Sequence, residues 1–192
     1  MEKTRLPGCA LLASGYGVRF GQDKLLYPLN GVPLMRHACL IVPRALFCRR
    51  VAVVRTDRAM EIAVGAGWEP VRNEDRTGDI AATIRLGILG MPEDAPGCMF
   101  MVADQPWLTS GSIQRLTEAF SAEPDCIHAL SFRGQRGNPV IFPRSLFGEL
   151  ASLQPGQSGR AVLTRHPELL RLTEAGSARE LADIDTPEDL KT

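Results

Sequence analysis

Between Cys9 and Lys24 an apolar run breaks into a loop carrying three glycines and two cations, Leu11-Leu12-Ala13-Ser14-Gly15-Tyr16-Gly17-Val18-Arg19-Phe20-Gly21-Gln22-Asp23-Lys24. Residues 9–13 read as a first strand. Glycine takes positive φ at no steric cost and lets backbone N–H groups close on an anion. Arg19 and Lys24 add full charge beside that nest, one as a bidentate fork and the other as a compact point charge. Such a strand and loop suit an open sheet that holds a polyphosphate at the carboxyl end of its first strand.

Two familiar phosphate loops do not fit. A Walker A loop needs Gly-Lys followed by Ser or Thr, whereas Lys24 stands three residues past Gly21 and Leu25 follows it. The dinucleotide fingerprint G-x-G-x-x-G has one residue fewer than separates Gly17 from Gly21, and residues 40–44 offer no carboxylate.

Downstream, short β-type runs alternate with amphipathic helical stretches. Strands are predicted over 8–13, 50–55, 69–72, 98–103 and 125–131, with a further one over 137–142. Helices are predicted over 33–46, 58–66, 79–89, 110–122, 144–150 and 160–165. Pro33 suits a first helical turn, Ser110 a cap and Gly90 a stop. Thr186 is expected to cap a last short helix, with Pro187 and Asp189 in its first turn. This alternation implies an α/β fold: a mostly parallel sheet covered on both faces.

With 192 residues, 44% hydrophobic and 23% charged, the chain has the composition of a globular domain. Its 22 basic and 22 acidic side chains leave no global field to draw in nucleic acid, so a phosphate ligand must be held by local charge. No apolar run approaches a membrane span, and the opening residues Glu2-Lys3-Thr4-Arg5 are unlike a signal peptide. Five cysteines without a C-x-x-C pair favour a reducing setting, so a cytoplasmic location is expected. His37, His128 and His166 lie too far apart for a zinc site.

The spacing from Gly15 through Arg19, Gly21 and Lys24 to Pro28-Leu29-Asn30-Gly31-Val32-Pro33-Leu34 resembles the opening signature of the molybdopterin-type nucleotidyltransferases. Ser14 departs from the usual Ala or Gly. Three later segments keep the family's order. Met101-Val102-Ala103-Asp104-Gln105-Pro106 is similar to its strand ending in Asp-x-Pro, with Gln105 in place of Met, a change expected to alter packing rather than the metal. Gly134-Gln135-Arg136-Gly137-Asn138-Pro139 is similar to its Gly-x-x-Gly-His-Pro, with Asn138 for His. Asp183-Ile184-Asp185-Thr186-Pro187-Glu188 is similar to the closing signature of the cytidylyltransferase branch, where the guanylyltransferase branch carries Asn at both acidic positions.

This resemblance implies a Rossmann-like three-layer α/β/α sandwich in one nucleotidyltransferase domain over 1–192. The NTP-binding part would span about 7–106 and the acceptor part about 107–192. It implies transfer of CMP from CTP to a molybdopterin-type acceptor with release of pyrophosphate, and delivery of the product to a molybdenum hydroxylase. Arg19, Lys24 and Asp104 would be catalytic. Leu12, Ala13, Ser14, Gly15, Gly17, Arg19, Lys24, Asn73 and Thr83 would bind the nucleotide. Gly137, Asn138, Pro139, Asp183 and Asp185 would meet the acceptor, and Asp104 with Asp185 would hold Mg²⁺, which favours one or two carboxylates plus phosphate oxygens. Taken alone, Asp104 reads better as a residue capping the turn before Pro106, and it is the first loop that favours the metal role; residues 157–160 read equally as a plain loop entering a helix. Guanylyl transfer, transfer to another phosphorylated acceptor, and a non-catalytic nucleotide- or cofactor-binding chaperone remain alternatives.

Overall fold

The computed structural model describes residues 5–15, 23–186 and 189. Gly17, Arg19, Gly21, Pro187 and Glu188 lie outside the described residues, so the roles expected of them have no structural account.

Strand β1 (Gly8–Ala13) is followed by a small hairpin, β2 (Pro28–Leu29) and β3 (Val32–Pro33), and by α1 (Leu34–Leu40). Next come β4 (Arg50–Val54), α2 (Asp57–Gly65), β5 (Glu69–Arg72), α3 (Ile80–Leu89), β6 (Gly97–Val102) and α4 (Ser110–Ala122). The last third holds β7 (Ile127–Phe132), β8 (Gln135–Pro143), α5 (Phe147–Ala151), α6 (Gly159–Arg165) and β9 (Leu170–Glu174). Seven strands form one sheet in the order β5-β4-β1-β6-β8-β7-β9. Within it β8 alone runs against its neighbours, and every other pairing is parallel. The mostly parallel sheet predicted from the alternation is what forms.

Side chains alternate across a strand, so each strand feeds two cores. On one face Cys9 and Leu11 of β1 join Met35 of α1, Ile62 of α2, and Ile113 and Leu116 of α4. On the other, Ala10 joins Val51, Val53 and Phe100 under Ile84 of α3, Leu150 of α5 and Val162 of α6. Helices thus cover both faces, giving the three expected layers.

The predicted helix 33–46 is shorter in the structure. Pro33 lies at φ −53°, ψ 140°, an extended residue ahead of the helix rather than its first turn, and pairs with Pro28 in the hairpin. Asn30 and Gly31 close that hairpin with φ of 52° and 78°, the positive pair that an Asn-Gly turn favours. At the far end Pro43 cannot continue the helix, and residues 44–46 form a separate 3₁₀ turn. Thr109, not Ser110, caps α4, accepting from the Ser112 N–H. Strand β8 begins at Gln135, two residues earlier than predicted, because Arg133 and Gly134 also take positive φ and make a tight turn. Edge strand β9 went unpredicted; its Leu-Arg-Leu-Thr-Glu run alternates but is only five residues long, too short to stand out.

Candidate active site

The carboxyl ends of β1, β4 and β6 face one crevice, as the topology of an open parallel sheet requires. Beyond β6 the chain turns at Ala103-Asp104-Gln105. Beyond β1 it passes through Ser14 and Gly15, and it re-enters the described residues at Asp23. The Asp23 side chain accepts from the Leu25 N–H at 3.1 Å and caps a 3₁₀ turn, Lys24–Leu26, fixing where the Lys24 side chain starts.

Lys24 Nζ donates to Asp104 Oδ2 at 2.8 Å and to Asp185 Oδ1 at 3.4 Å. The structure therefore brings together the cation of the first loop, the acid ending β6 and the acid of the last segment. The Lys24 side chain is only 12% exposed and Asp104 25%, whereas Asp185 is 63% exposed, so the inner pair is the less screened one.

Asp183 joins them by another route. Gln105, 3% exposed, donates from Nε2 to Asp183 Oδ1 at 2.8 Å and to the Leu181 carbonyl at 3.1 Å. Packing alone was expected of Gln105; its amide also ties the closing segment to the β6 turn. Desolvation, and after it the neighbouring Asp104 charge, raise the Asp183 carboxyl above its ordinary value. Ile184, fully buried among Leu34, Tyr27, Leu29 and Trp107, anchors the same segment from below. The short helix that Thr186 is expected to cap lies largely outside the described residues; Asp189 accepts from the N–H groups of Asp185 and Thr186 at 2.9 and 2.7 Å, and its own N–H donates to the Thr186 carbonyl at 3.2 Å, a reciprocal pair of the kind a capping box makes.

A divalent cation fits the chemistry of this group. Asp104 Oδ1 is buried and has no hydrogen-bond partner, so half of that carboxylate is unsatisfied. Among the described residues no cluster of three or more Asp, Glu, His or Cys side chains could hold a metal by itself. One or two carboxylates completed by phosphate oxygens is the coordination that suits Mg²⁺.

Ser14, Asn73 and Thr83 also meet, but beneath the loop and turned toward one another. Asn73 Nδ2 donates to Ser14 Oγ at 3.0 Å and to Thr83 Oγ1 at 3.2 Å, and the two hydroxyls are 2.6 Å apart. All three are nearly inaccessible. The network joins the ends of β1 and β5 to α3 and holds the backbone at Ser14-Gly15. Gly15 is exposed, and with Ala13, Asp23 and Arg55 it lines a small pocket of about 130 Å³.

Arg55 was not anticipated. It follows β4, donates from Nε to the Ser14 carbonyl at 3.1 Å and also donates to the Asp75 carbonyl. Its place at a strand's carboxyl end was the signal available in the sequence. The acceptor candidates Gly137, Asn138 and Pro139 lie on β8, and Leu12 and Asn138 line a separate pocket of about 270 Å³.

Residues 9–170 match the model of a family described as the MobA-like NTP transferase domain. The chain is 28% identical over 193 aligned positions to the purine catabolism protein PucB of Bacillus subtilis, covering 93% of this chain and 91% of that one. It is 33% identical over 81 positions to a protein of Pyrococcus horikoshii named a probable molybdenum cofactor guanylyltransferase, covering 42% of each. Among solved structures, Rv0371c of Mycobacterium tuberculosis superposes with a TM-score of 0.80 at 25% identity, covering 98% of this chain and 97% of that one. A structure of Rv0371c in complex with manganese superposes with a TM-score of 0.76.

Proposed function

This chain belongs to the MobA-like NTP transferase family, and from that premise we propose that it moves a nucleoside monophosphate from an NTP to a phosphorylated, molybdopterin-type acceptor. The acceptor phosphate oxygen attacks the α-phosphorus, a new P–O–P linkage forms, and the bond to pyrophosphate breaks. No protein nucleophile is required. The catalyst positions two anions in line and neutralises the charge between them.

The Lys24–Asp104 contact carries this reading. Lys24, reached by the loop after β1, has the reach and charge to exchange its carboxylate partners for the phosphates of an arriving nucleotide. Asp104 and Asp185 would hold Mg²⁺, and the manganese found with Rv0371c supports a divalent ion in this fold. When bound, the cation supplies charge neutralisation at the phosphoryl oxygens. Arg19 would add a second cation to the loop. The Ser14–Asn73–Thr83 network keeps the Ser14-Gly15 backbone in place to receive the nucleotide.

CTP is the preferred donor in this proposal, because the closing Asp-Ile-Asp-Thr-Pro-Glu segment resembles the cytidylyltransferase branch. The Pyrococcus relative named for guanylyl transfer supports GTP as the second reading. Pyrophosphate release measured with each NTP, with and without molybdopterin, tests both. CTP-dependent, acceptor-dependent release is expected. Absence of release with every NTP would defeat the transfer reading, and release with GTP alone would replace the first donor by the second. Delivery of the product to a molybdenum hydroxylase in the cytoplasm completes the proposal.

A further inference from the structure

Asp79, the residue ahead of α3, is bonded to both sides of the crevice. Its backbone carbonyl accepts from the Thr83 N–H and from Thr83 Oγ1, each at 3.4 Å, and that hydroxyl lies 2.6 Å from Ser14 Oγ at the end of β1. Its carboxylate serves other partners. Oδ1 accepts from the Ala81 N–H at 3.1 Å, which caps α3, and from the Gly156 N–H at 3.2 Å.

Gly156 belongs to a closed turn. The Gln157 N–H donates to the Gln154 carbonyl and the Gln154 N–H to Gln157 Oε1, both at 3.0 Å, while Gly156 takes φ of 81°, a region open to glycine. Farther along α3, Arg85 holds the same connection upstream. It donates from Nε to the Ala151 carbonyl at 2.9 Å and from Nη2 to the Leu153 carbonyl at 3.3 Å. Carbonyls at the end of a helix such as α5 find no partner within it, and a planar guanidinium can meet two at once.

The turn leads directly into α6. Ser158 accepts from the Arg160 N–H at 3.4 Å, and Ser158, Gly159 and Arg160 line the pocket of about 270 Å³ that also holds Asn138. A Cβ on Gly159 would lie 3.2 Å from the Phe142 ring, so the start of α6 is closely packed. Through Thr83, α3 is itself fixed to Ser14 and Asn73. Two staples from one helix therefore set a wall of the pocket relative to the backbone at Ser14-Gly15. In a reaction that works by alignment, about 1 Å of misplacement can cost on the order of 10²-fold.

We infer that Asp79 and Arg85 are positioning residues: they hold the turn at residues 154–157, and with it the Ser158–Arg160 wall, in register with the bound nucleotide. Their part in transfer rests on the reaction proposed above; the two staples rest on the geometry alone.

Three variants test this on the intact chain. Asp79→Ser keeps a helix cap but is too short to reach Gly156, Asp79→Asn keeps an oxygen for both N–H groups, and Arg85→Met removes the guanidinium fork while keeping an apolar stem. Transfer from NTP to molybdopterin is followed with each substrate varied, and amide exchange over residues 152–160 is measured without substrate. Asp79→Ser and Arg85→Met should each raise the KM for molybdopterin about fivefold, the worth of one ordinary hydrogen bond, with the KM for NTP unchanged. The double variant should raise it further, and Asp79→Asn should stay close to wild type. The Gly156 amide should exchange faster in Asp79→Ser than in wild type or Asp79→Asn. Equal rises in both KM values, or a fall in kcat alone, would reduce the two residues to general supports of the fold and overturn the inference. Unchanged exchange at Gly156 in Asp79→Ser would overturn the staple itself. If the wild type releases no pyrophosphate with any NTP, the transfer reading fails separately, and exchange at Gly156 still decides whether Asp79 holds the turn.

Discussion

The backbone N–H of Ile184 donates to the carbonyl of Asp104 at 2.9 Å, so the segment that closes the chain is stitched to the turn that ends β6. Asp183 and Asp185 flank that bond. One is held by the Gln105 amide and the other reaches Lys24. A main-chain hydrogen bond sets the position of both carboxylates, and the buried Ile184 side chain prevents the segment from sliding.

Lys24→Ala and Asp104→Ala should each lower turnover by about 10²–10³, the loss seen when one transition-state contact is removed. Chelation of divalent ions should abolish the residual rate in both. Pyrophosphate release under saturating NTP measures this. Near-wild-type rates in the two variants would remove Lys24 and Asp104 from the machinery.

Gln105→Met should loosen the closing segment with little change in the core. The Leu181 carbonyl and Asp183 lose a shared donor, while the buried Gln105 Oε1, which has no partner, is removed as well. The net cost should be about 1 kcal/mol, below that of a buried group simply orphaned. Urea denaturation gives the stability, and amide exchange at Ile184 should speed up. Unchanged exchange there would show that Gln105 does not hold the segment.

Asn73→Ala should cost about 2–3 kcal/mol, since the Ser14 and Thr83 hydroxyls and the Asp75 N–H all lose a buried partner. Nucleotide stabilisation, read as the NTP-induced rise in Tm, should shrink along with it because the backbone at Ser14-Gly15 loses its support. A stable variant with an undiminished NTP response would make the network dispensable.

Acid stability should report His128. It is 1% exposed, and burial pushes its imidazole below the ordinary value of 6.5. Folding keeps this histidine neutral, so the unfolded chain takes up the proton first. Its contribution is therefore intact above pH 6.5 and is lost as pH falls from there toward the folded pKa, by at most about 1.4 kcal/mol per pH unit. His128→Phe should flatten that slope. It also removes the bond from Nε2 to the Glu123 carbonyl at 3.0 Å, lowering stability by about 1 kcal/mol at every pH. Denaturation midpoints between about pH 5 and pH 8 separate slope from level. An unchanged slope would clear His128 of the effect.

Read alone, the amino-acid sequence determined the layers, most strand positions and the segments that carry charge, because periodicity, proline and glycine act over a few neighbouring residues. Even the misplaced features had local signals: Pro43 stops α1, and Asn30-Gly31 closes the hairpin before it. Only the tertiary structure decided that Lys24, Asp104 and Asp185 share one ion pair network, that Asn73 and Thr83 turn inward to Ser14, and that Arg136 and Arg160 line one pocket. Those relationships depend on strand order, on the reversed β8 and on a single backbone bond at Ile184. Contacts between residues far apart in the chain are chosen by the packing of whole elements, which no local pattern of side chains encodes.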